Sequence, residues 1–229
     1  MTEHRDAQNW AEPIESFHLA GVPEGVAKGN VEGRKPVGPL QGFGQLWQKT
    51  YEVRVPATTP EKLIATWKKR FGEFWPSNNS FYAPSAGLEP GEIALIGGRS
   101  GPIKMSTGVR VIYADARSWS YMNPEGHPFS AIITFSAHDD EEGVTTARID
   151  TMLRASDPLF EIAFKLYTSR LEDGIWNHTL TRLAKRFGVV DPQVQMTAVL
   201  VDRRRQWKEF GNIGKNSVIR SLLRRDKRR

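Results

Sequence analysis

Residues 129–163 read FSAIITFSAHDDEEGVTTARIDTMLRASDPLFEIA and carry the clearest structural pattern in the sequence. Apolar residues alternate with polar ones on both sides of a charged tip at 138–143, which is the period of half-buried strands joined by a turn. The predicted core face comprises Phe129, Ala131, Ile133 and Phe135 on the first strand and Ala147, Ile149, Thr151 and Leu153 on the second. Asp157-Pro158 follows at once and predicts a helix start, because Asp caps helices and Pro suits their first position.

Downstream of this hairpin the sequence predicts one long helix. Apolar residues recur at helical spacing over about thirty positions, and Gly188 ends the pattern. Gly174 lies inside it and costs roughly 1 kcal/mol relative to Ala, so we expect a kink or break there. The helix would present Leu159, Ile162, Ala163, Leu166, Ile175, Leu180, Leu183, Ala184 and Phe187.

Upstream, the sequence predicts a strand, a helix and a further run of strands. The alternation in 47–55 is typical of a half-buried strand, and Thr59-Pro60-Glu61 predicts the helix start. Further short strands are predicted at 93–96, 109–113 and 119–121. Arg110 has the opposite parity to Val109 and Val111, so we expect it to point to solvent.

Three segments differ in composition. Residues 1–44 contain 7 Gly and 4 Pro and are predicted to form an irregular arm. Residues 45–190 carry the regular patterns and form the predicted domain. Residues 191–229 form a basic, partly helical tail, because Val194, Ala198, Val201, Trp207 and Phe210 have loose helical spacing before Gly211.

Charge and cysteine content exclude several classes of protein. The net charge is +6, but residues 202–229 alone carry 11 Lys and Arg against 3 Asp and Glu, which leaves the remainder slightly negative. A folded groove for nucleic acid is therefore not expected. The absence of cysteine excludes disulfides and thiolate chemistry and fits a reducing cytoplasm, and no apolar run is long enough for export or a membrane span. We expect a cytoplasmic protein.

The element order of strand, helix, antiparallel strands and one long C-terminal helix resembles that of the START-like, or SRPBCC, superfamily. The resemblance covers about residues 45–188 and rests also on the segments 124–137 and 157–161. It implies an α+β helix-grip fold, in which a curved antiparallel sheet encloses the long helix and leaves a cavity for an apolar molecule. Large side chains, including 7 Trp and 11 Phe, leave open the alternative that the interior is simply packed.

The predicted function is binding of an apolar small molecule, lipid-like, aromatic or polyketide-like. The candidate ligand-binding residues are Trp119, Tyr121, His127, Phe129, Ile133, Ile149 and Trp176. The alternative is a cyclase- or dehydratase-type enzyme in the same pocket, with His127 and Tyr121 as its polar groups. His178, beside Trp176 on the long helix, is a further candidate near the cavity. No cofactor or metal is expected, because the five histidines lack paired ligand spacing.

The tail suggests a second kind of partner. Apolar residues lie between clusters of cations, a pattern that suits an anionic membrane surface or the backbone of a nucleic acid. A solvated tail that aids solubility is the alternative. The cations are Arg203, Arg204, Arg205, Arg224, Arg225, Lys227, Arg228 and Arg229.

Overall fold

The computed structural model describes residues 6–19, 30–77, 79–100 and 103–226, with the backbone alone described at 99, 100, 103–105, 167–169 and 222–226. The strands in this part of the chain are β1 (Pro36–Val37), β2 (Leu46–Arg54), β3 (Ser80–Tyr82), β4 (Ile93–Ser100), β5 (Ile103–Ala114), β6 (Ser118–Pro124), β7 (Phe129–Asp139), β8 (Thr145–Ala155) and β9 (Gln195–Asp202). The helices are α1 (Pro60–Phe74), α2 (Pro158–Ala163), α3 (Ser169–Arg186) and α4 (Ser217–Asp226).

The strands form one antiparallel sheet in the order β3-β4-β5-β6-β7-β8-β2-β9, with β1 paired to β6. The predicted hairpin at its centre is confirmed: β7 and β8 pair from Phe129 opposite Ala155 to Asp139 opposite Thr145. Odd-numbered residues of both strands face inward, as the alternation predicted, and Phe135 and Ile149 are fully buried opposite each other. The alternating pattern therefore predicted both the strands and their core face.

The long helix packs across the inner face of the sheet, but it is not continuous. Asp157 caps α2 by accepting from the backbone N–H of Leu159 and Phe160 at 2.8 and 3.0 Å. A π-helical turn at Phe164–Thr168 then separates α2 from α3. The expectation of a break at Gly174 is wrong, because Gly174 lies within the helix α3. A Cβ at this position would have no neighbouring atom within 4 Å. The predicted helix start is confirmed.

The helix α1 closes the inner face beside α3. Thr59 caps it through the Lys62 N–H at 3.4 Å, and Pro60 occupies its first position, as predicted. The helix ends before Trp75, whose extended conformation is the one that a residue preceding proline favours. Its buried face contributes Leu63, Ile64, Trp67, Phe71 and Phe74 to the main core.

The described part of the N-terminal arm covers the outer face of the sheet. Phe17 and Val31 are fully buried in a small second core with Leu95 of β4. The arm also explains why the expectation for Arg110 is wrong: Arg110 lies on the outer face, as its parity indicated, but it is buried. Its guanidinium donates to the carbonyls of Glu12 at 2.8 Å and Gly91 at 3.3 Å.

The tail departs from the helical pattern expected for residues 194–210. Gln195–Asp202 forms strand β9, which pairs with β2 from Glu52 opposite Gln195 to Leu46 opposite Asp202. Alternation of Met196, Ala198 and Leu200 on one face is compatible with a strand, and pairing with the edge of β2 overrides the loose helical spacing.

Beyond β9 the chain folds back onto the sheet. Asn216 caps α4 and donates to the Asp157 carboxylate at 2.7 Å, so the caps of α2 and α4 are joined. The backbone N–H of Ser217 donates to the Gly126 carbonyl at 3.0 Å. Gly126 has a φ of 87°, and the Lys215 carbonyl leaves no room for a Cβ at this position. The C-terminal segment is therefore docked against the β6–β7 turn.

The architecture confirms the predicted α+β helix-grip fold, a large antiparallel sheet with a long helix on its inner face. The division into an arm at 1–44, a domain at 45–190 and a tail at 191–229 stays a prediction. What the structure adds is that the described portions of both flanking segments contact the sheet.

Candidate binding site between the sheet and the long helix

The inner face of the sheet is arranged in rows of opposing residues. One row runs from Lys49 on β2 through Thr151, Ile133 and Tyr121 to Val111 on β5. The next row runs from Tyr51 through Ile149, Phe135 and Trp119 to Ala114. The two helices α1 and α3 cover both rows, so side chains from these positions meet in the interior.

Six of the seven predicted site residues lie in this interior. Trp119, Tyr121, Ile133, Ile149 and Trp176 are buried in the main core, and Phe129 packs against it. Phe129 meets Phe164 of the π-helical turn in an edge-on contact at 5.5 Å between ring centroids. The sequence therefore identified side chains that share one region. Their role in binding remains untested.

Aromatic rings fill much of the space between sheet and helices. Trp119 stacks on Phe135 at 4.5 Å, and Trp67 meets both rings edge-on at 5.2 and 5.4 Å. Trp176 of α3 contacts Phe135 at 5.7 Å. Offset and edge-on contacts of this kind stabilise a core beyond the area that they bury. In this conformation the centre of the grip is packed with rings.

A group of ionisable side chains lies at the β2 side of this interior. The Lys49 ammonium donates to Glu172 at 2.9 Å and to Asp173 at 2.6 Å, and Lys49 and Glu172 are both buried. The Tyr51 hydroxyl donates to the same Asp173 oxygen at 2.6 Å, and the Trp176 indole donates to Glu172 at 3.4 Å. We call Lys49, Tyr51, Glu172, Asp173 and Trp176 the polar cluster.

The pKa shifts in the polar cluster follow from burial. Burial raises the pKa of the Glu172 carboxyl above its usual 4.5, and the Lys49 charge opposes that rise without cancelling it. Burial also raises the pKa of the Tyr51 and Tyr121 hydroxyls, and the nearby Glu172 charge adds to both shifts. The two phenols are therefore hydrogen-bond donors at neutral pH, and Glu172 is a carboxyl that can hold a proton more readily than one in water.

Four polar atoms in the same core have no hydrogen-bond partner among the described residues. They are the Thr151 hydroxyl and the indole nitrogens of Trp67, Trp75 and Trp119. Thr151 is fully buried and lies directly opposite Lys49. A buried polar group without a partner costs about 1–3 kcal/mol, so these atoms are sites at which a bound molecule or water would gain hydrogen bonds.

His127 occupies the β6–β7 turn and serves the turn itself. Its Nδ1 lies 3.0 Å from the backbone N–H of Phe129 and 3.0 Å from the side-chain amide of Asn123. The Phe129 carbonyl lies 3.1 Å from the same nitrogen, and burial lowers the pKa of His127 from 6.5 to about 4, so the imidazole is neutral at neutral pH. His178 is exposed on α3 and does not face the interior.

The wall formed by α2 and the π-helical turn carries exposed apolar side chains. Leu166 is 77% exposed, and Leu159 and Ile162 are each about half exposed. On the opposite side of the same segment, Phe160 and Phe164 are buried. π-helical turns occur frequently at functional sites, where they interrupt the regular hydrogen bonding of a helix. This segment is the least regular part of the wall around the interior.

Two cavities stand out in the described structure, and neither is lined by a predicted site residue. One, of about 530 Å³, lies outside the grip between Ile64 and Lys68 of α1 and Leu88 and Asp115. The other, of about 210 Å³, lies between the β6–β7 turn and the C-terminal segment, at Glu125, Ser156 and Lys215. A ligand placed among Trp67, Trp119 and Phe135 would have to displace these rings, because they contact one another directly.

The cations of the tail differ in their surroundings. Arg204 pairs with Asp202 at 3.0 Å, and Arg205 pairs with the buried Glu161 at 3.2 Å, whereas Arg203 lies on an exposed surface. The side chains of Arg224 and Arg225 and all of Lys227, Arg228 and Arg229 lie outside the description. Of the predicted surface cations, Arg205 thus pairs with a buried carboxylate of α2, and Arg204 stays exposed.

Sequence reasoning missed the polar cluster, although a signal was present. Lys49 has the same parity in its strand as Tyr51 and Val53, so it had to lie on the core face, where a charge needs a partner. On α3, Glu172 precedes the core residue Trp176 by four positions and therefore shares its face. Lys49 on the core face of β2 and Glu172 on the core face of α3 would thus have been recognised as a buried ion pair.

The described residues form no group of three or more His, Cys, Asp or Glu side chains that could hold a metal ion. Within the same residues, no helix combines the length and apolar character that crossing a bilayer requires.

No protein-family model matches the chain, and no curated protein matches it. Solved structures are similar to it over 61–63% of its length. They include TTHA0849 from Thermus thermophilus, with 17% identity, a TM-score of 0.48 and 96% of that chain covered. A START superfamily protein from Mycobacterium smegmatis has 16% identity, a TM-score of 0.44 and 98% coverage, over 63% of this chain. Ginseng major latex-like protein 151 from Panax ginseng has 13% identity, a TM-score of 0.41 and 99% coverage.

The strand order and the position of the long helix define the class: the chain has a helix-grip fold. The element order on which the sequence resemblance rested, a strand, a helix, an antiparallel run of strands and a long helix, is present over residues 45–188. The match covers nearly the whole length of each of these similar proteins. More than a third of this chain lies outside the match.

Proposed function

We propose that the interior of the grip binds an apolar small molecule that carries at least one hydrogen-bonding group. The observation that carries the proposal is the Thr151 hydroxyl, which is fully buried without a partner among the described residues, in the row that joins Lys49 to Tyr121. An apolar body would replace contacts among the rings, and one polar group would satisfy Thr151. A lipid-like, aromatic or polyketide-like molecule has this combination.

Entry is proposed through the segment from α2 to the π-helical turn. Phe164 joins this segment to the interior by its contact with Phe129, and Lys49 lies 5.3 Å from the centre of the Phe164 ring. Outward movement of the turn would withdraw Phe164 and open space beside Phe129 and Thr151. The exposed side chains Leu159, Ile162 and Leu166 give an apolar approach to the same opening.

Native mass spectrometry of protein purified from its own host, combined with lipid extraction, tests this proposal. Thr151→Val removes the unpaired hydroxyl and keeps the shape of the side chain. We expect this variant to be at least as stable as the wild type but to retain the host ligand about 2- to 12-fold less well, the range that one hydrogen bond of about 0.5–1.5 kcal/mol represents.

Thr134→Val is the matched control. Thr134 lies on the other face of β7, where its hydroxyl is bonded to Ser120 at 2.7 Å, so its replacement should lower stability without changing ligand retention. A wild-type protein that carries no adduct and takes none from a lipid extract of its host would refute the proposal, as would equal retention by the two threonine variants.

The second candidate is an enzyme of the cyclase or dehydratase type, and the polar cluster favours it. A buried carboxyl with a raised pKa, Glu172, lies within one hydrogen bond of a lysine and in the same interior as two phenols. A carboxyl whose pKa is raised by burial holds a proton more readily than one in water, and this suits it to act as a proton donor. His127 is less suited to this role because Nδ1 is engaged in the turn.

A change in the mass or the chromatographic retention of the recovered ligand during incubation distinguishes catalysis from binding, because a dehydration changes the mass and a cyclisation without loss of water changes only the retention. Glu172→Gln should bind the same molecule and leave its mass and retention unchanged. If both the wild type and Glu172→Gln return the ligand unaltered, the enzyme hypothesis is discarded and the binding proposal stands.

A further inference from the structure

The strand β9 lies at the edge of the sheet, next to β2, and its other side has no partner strand among the described residues. Both of its faces are exposed. Met196 is 46% exposed on the face shared with Tyr51, and Val199 and Val201 are 51% and 48% exposed along the strand. The edge thus combines an unpaired row of backbone groups with apolar side chains.

The sequence of β9 lacks the features that usually protect such an edge. Residues 196–201 read MTAVLV and contain no charge, proline or glycine. Natural edge strands are commonly shortened, charged, bulged or covered, because an open edge pairs readily with another strand. The irregularity in the pairing of β9 lies at its end, next to Leu46 and Trp47. An uncharged stretch of this length is suited to pair with a further strand.

The charges on either side of β9 indicate the orientation of that strand. Asp191 precedes β9, and Arg203, Arg204 and Arg205 follow it, of which Arg204 pairs with Asp202 and Arg205 with Glu161 within the chain. Antiparallel pairing of two β9 strands places Asp191 of each copy beside the net positive end of the other, whereas parallel pairing would bring the two net positive ends together. The segment is therefore complementary in charge to an inverted copy of itself.

We propose that two copies of this chain associate through β9, antiparallel, to form one continuous sheet. The twofold axis runs perpendicular to the sheet, so opposing residues must lie on the same face. With the axis at Ala198, Met196 opposes the partner's Leu200 and Thr197 opposes the partner's Val199. With the axis at Val199, Met196 would oppose the charged Asp202 of the partner subunit, so the register centred on Ala198 is favoured.

The mass in solution tests this pairing, and it does not depend on ligand binding. By light scattering across a concentration series, the wild type should reach twice the 25.9 kDa of one chain. Val199→Lys places a charge near the centre of the interface and should give a monomer. Val190→Lys is the matched control, since Val190 is 91% exposed but precedes the strand, and this variant should remain a dimer.

A cross-link tests the register whether or not the lysine variant folds. The chain contains no cysteine, so Ala198→Cys introduces a single thiol, which in the proposed register lies opposite its own copy. Mild oxidation should convert this variant to a covalent dimer, and Val190→Cys should remain uncross-linked. A wild type that stays monomeric at every concentration, a Val199→Lys dimer as stable as that of Val190→Lys, or failure of Ala198→Cys to cross-link would each overturn the proposal.

Discussion

Replacement of Lys49 by Met should cost more stability than replacement of any exposed lysine of this chain. Lys49 is 2% exposed and donates to both Glu172 and Asp173. Methionine fills a similar volume but leaves two carboxylates without their cation. Removal of one partner from a buried ion pair costs about 3–5 kcal/mol, a large part of the roughly 5–15 kcal/mol that stabilises a typical domain.

The loss should depend on pH in a defined direction. The pKa of Glu172 is raised in the folded state, so folding favours its protonated form, and its charge lowers stability as the pH rises through that raised value. Lys49 limits this effect in the wild type. In Lys49→Met the loss of stability should be largest above the raised pKa of Glu172, and it should shrink as the pH falls through that pKa because Glu172 then takes up a proton.

Thermal unfolding followed by circular dichroism at a lower and a higher pH measures the effect. At the higher pH the expected loss corresponds to a decrease in Tm of about 6–20 °C for a chain of this size. Lys208→Met, at an exposed position of the tail, is the control and should leave Tm unchanged. Adding Glu172→Gln to Lys49→Met should restore part of the loss. Equal Tm values for the two methionine variants, or a loss that does not vary with pH, would refute the electrostatic account.

Three further predictions concern the turn at the β6–β7 junction and the tail. Stability should fall as the pH drops from about 6.5 toward the pKa of about 4 of His127, because His127 of the unfolded chain binds a proton more tightly than His127 of the folded chain. A His127→Asn variant should show a flatter profile of Tm against pH over this window. An NMR titration that gives His127 a pKa near 6.5 would contradict the prediction. Gly126→Ala should lower the free energy of unfolding, measured by urea titration, by about 2 kcal/mol or more, because its Cβ would collide with the C-terminal backbone. Gly143 also has a positive φ but has open space around it, so Gly143→Ala should cost about 1 kcal/mol. Equal costs would show that the C-terminal segment is not docked against the β6–β7 turn. Trp207 is 70% exposed, so Trp207→Ala should reduce co-sedimentation with anionic vesicles at low salt while leaving the fold intact, and unchanged partitioning would discard the membrane hypothesis.

The sequence predicted the parts of the fold in which local pattern and tertiary environment agree. The parity of Phe135 and Ile149 and the caps at Thr59 and Asp157 required no knowledge of distant residues, and all of them are confirmed. The break in the long helix was misplaced because intrinsic propensity assigned it to Gly174, whereas the π-helical turn forms at 164–168. A glycine within a helix is tolerated where nothing else forces a bend.

Distant pairing explains what the sequence did not predict. The spacing of Val194 to Phe210 is ambiguous by itself, and only the open edge of β2 makes Gln195–Asp202 a strand. Arg110 is buried because the N-terminal arm lies over it, which no pattern within β5 reveals. The polar cluster joins strand β2 to helix α3 across most of the domain, so its members had to be matched between two separately predicted core faces.

The position of β2 between β8 and β9 sets the order in which this protein can complete its sheet during synthesis. β2 is made early, yet both of its neighbours in the sheet come late. β8 follows the β3–β7 meander, and β9 follows α3. Until those segments leave the ribosome, β2 has no strand on either side, while the β3–β7 meander can already form from neighbouring hairpins. Because such long-range pairing is slow, we expect β9 to close onto β2 after the meander has formed, and a nascent chain halted before residue 195 to expose the β2 edge.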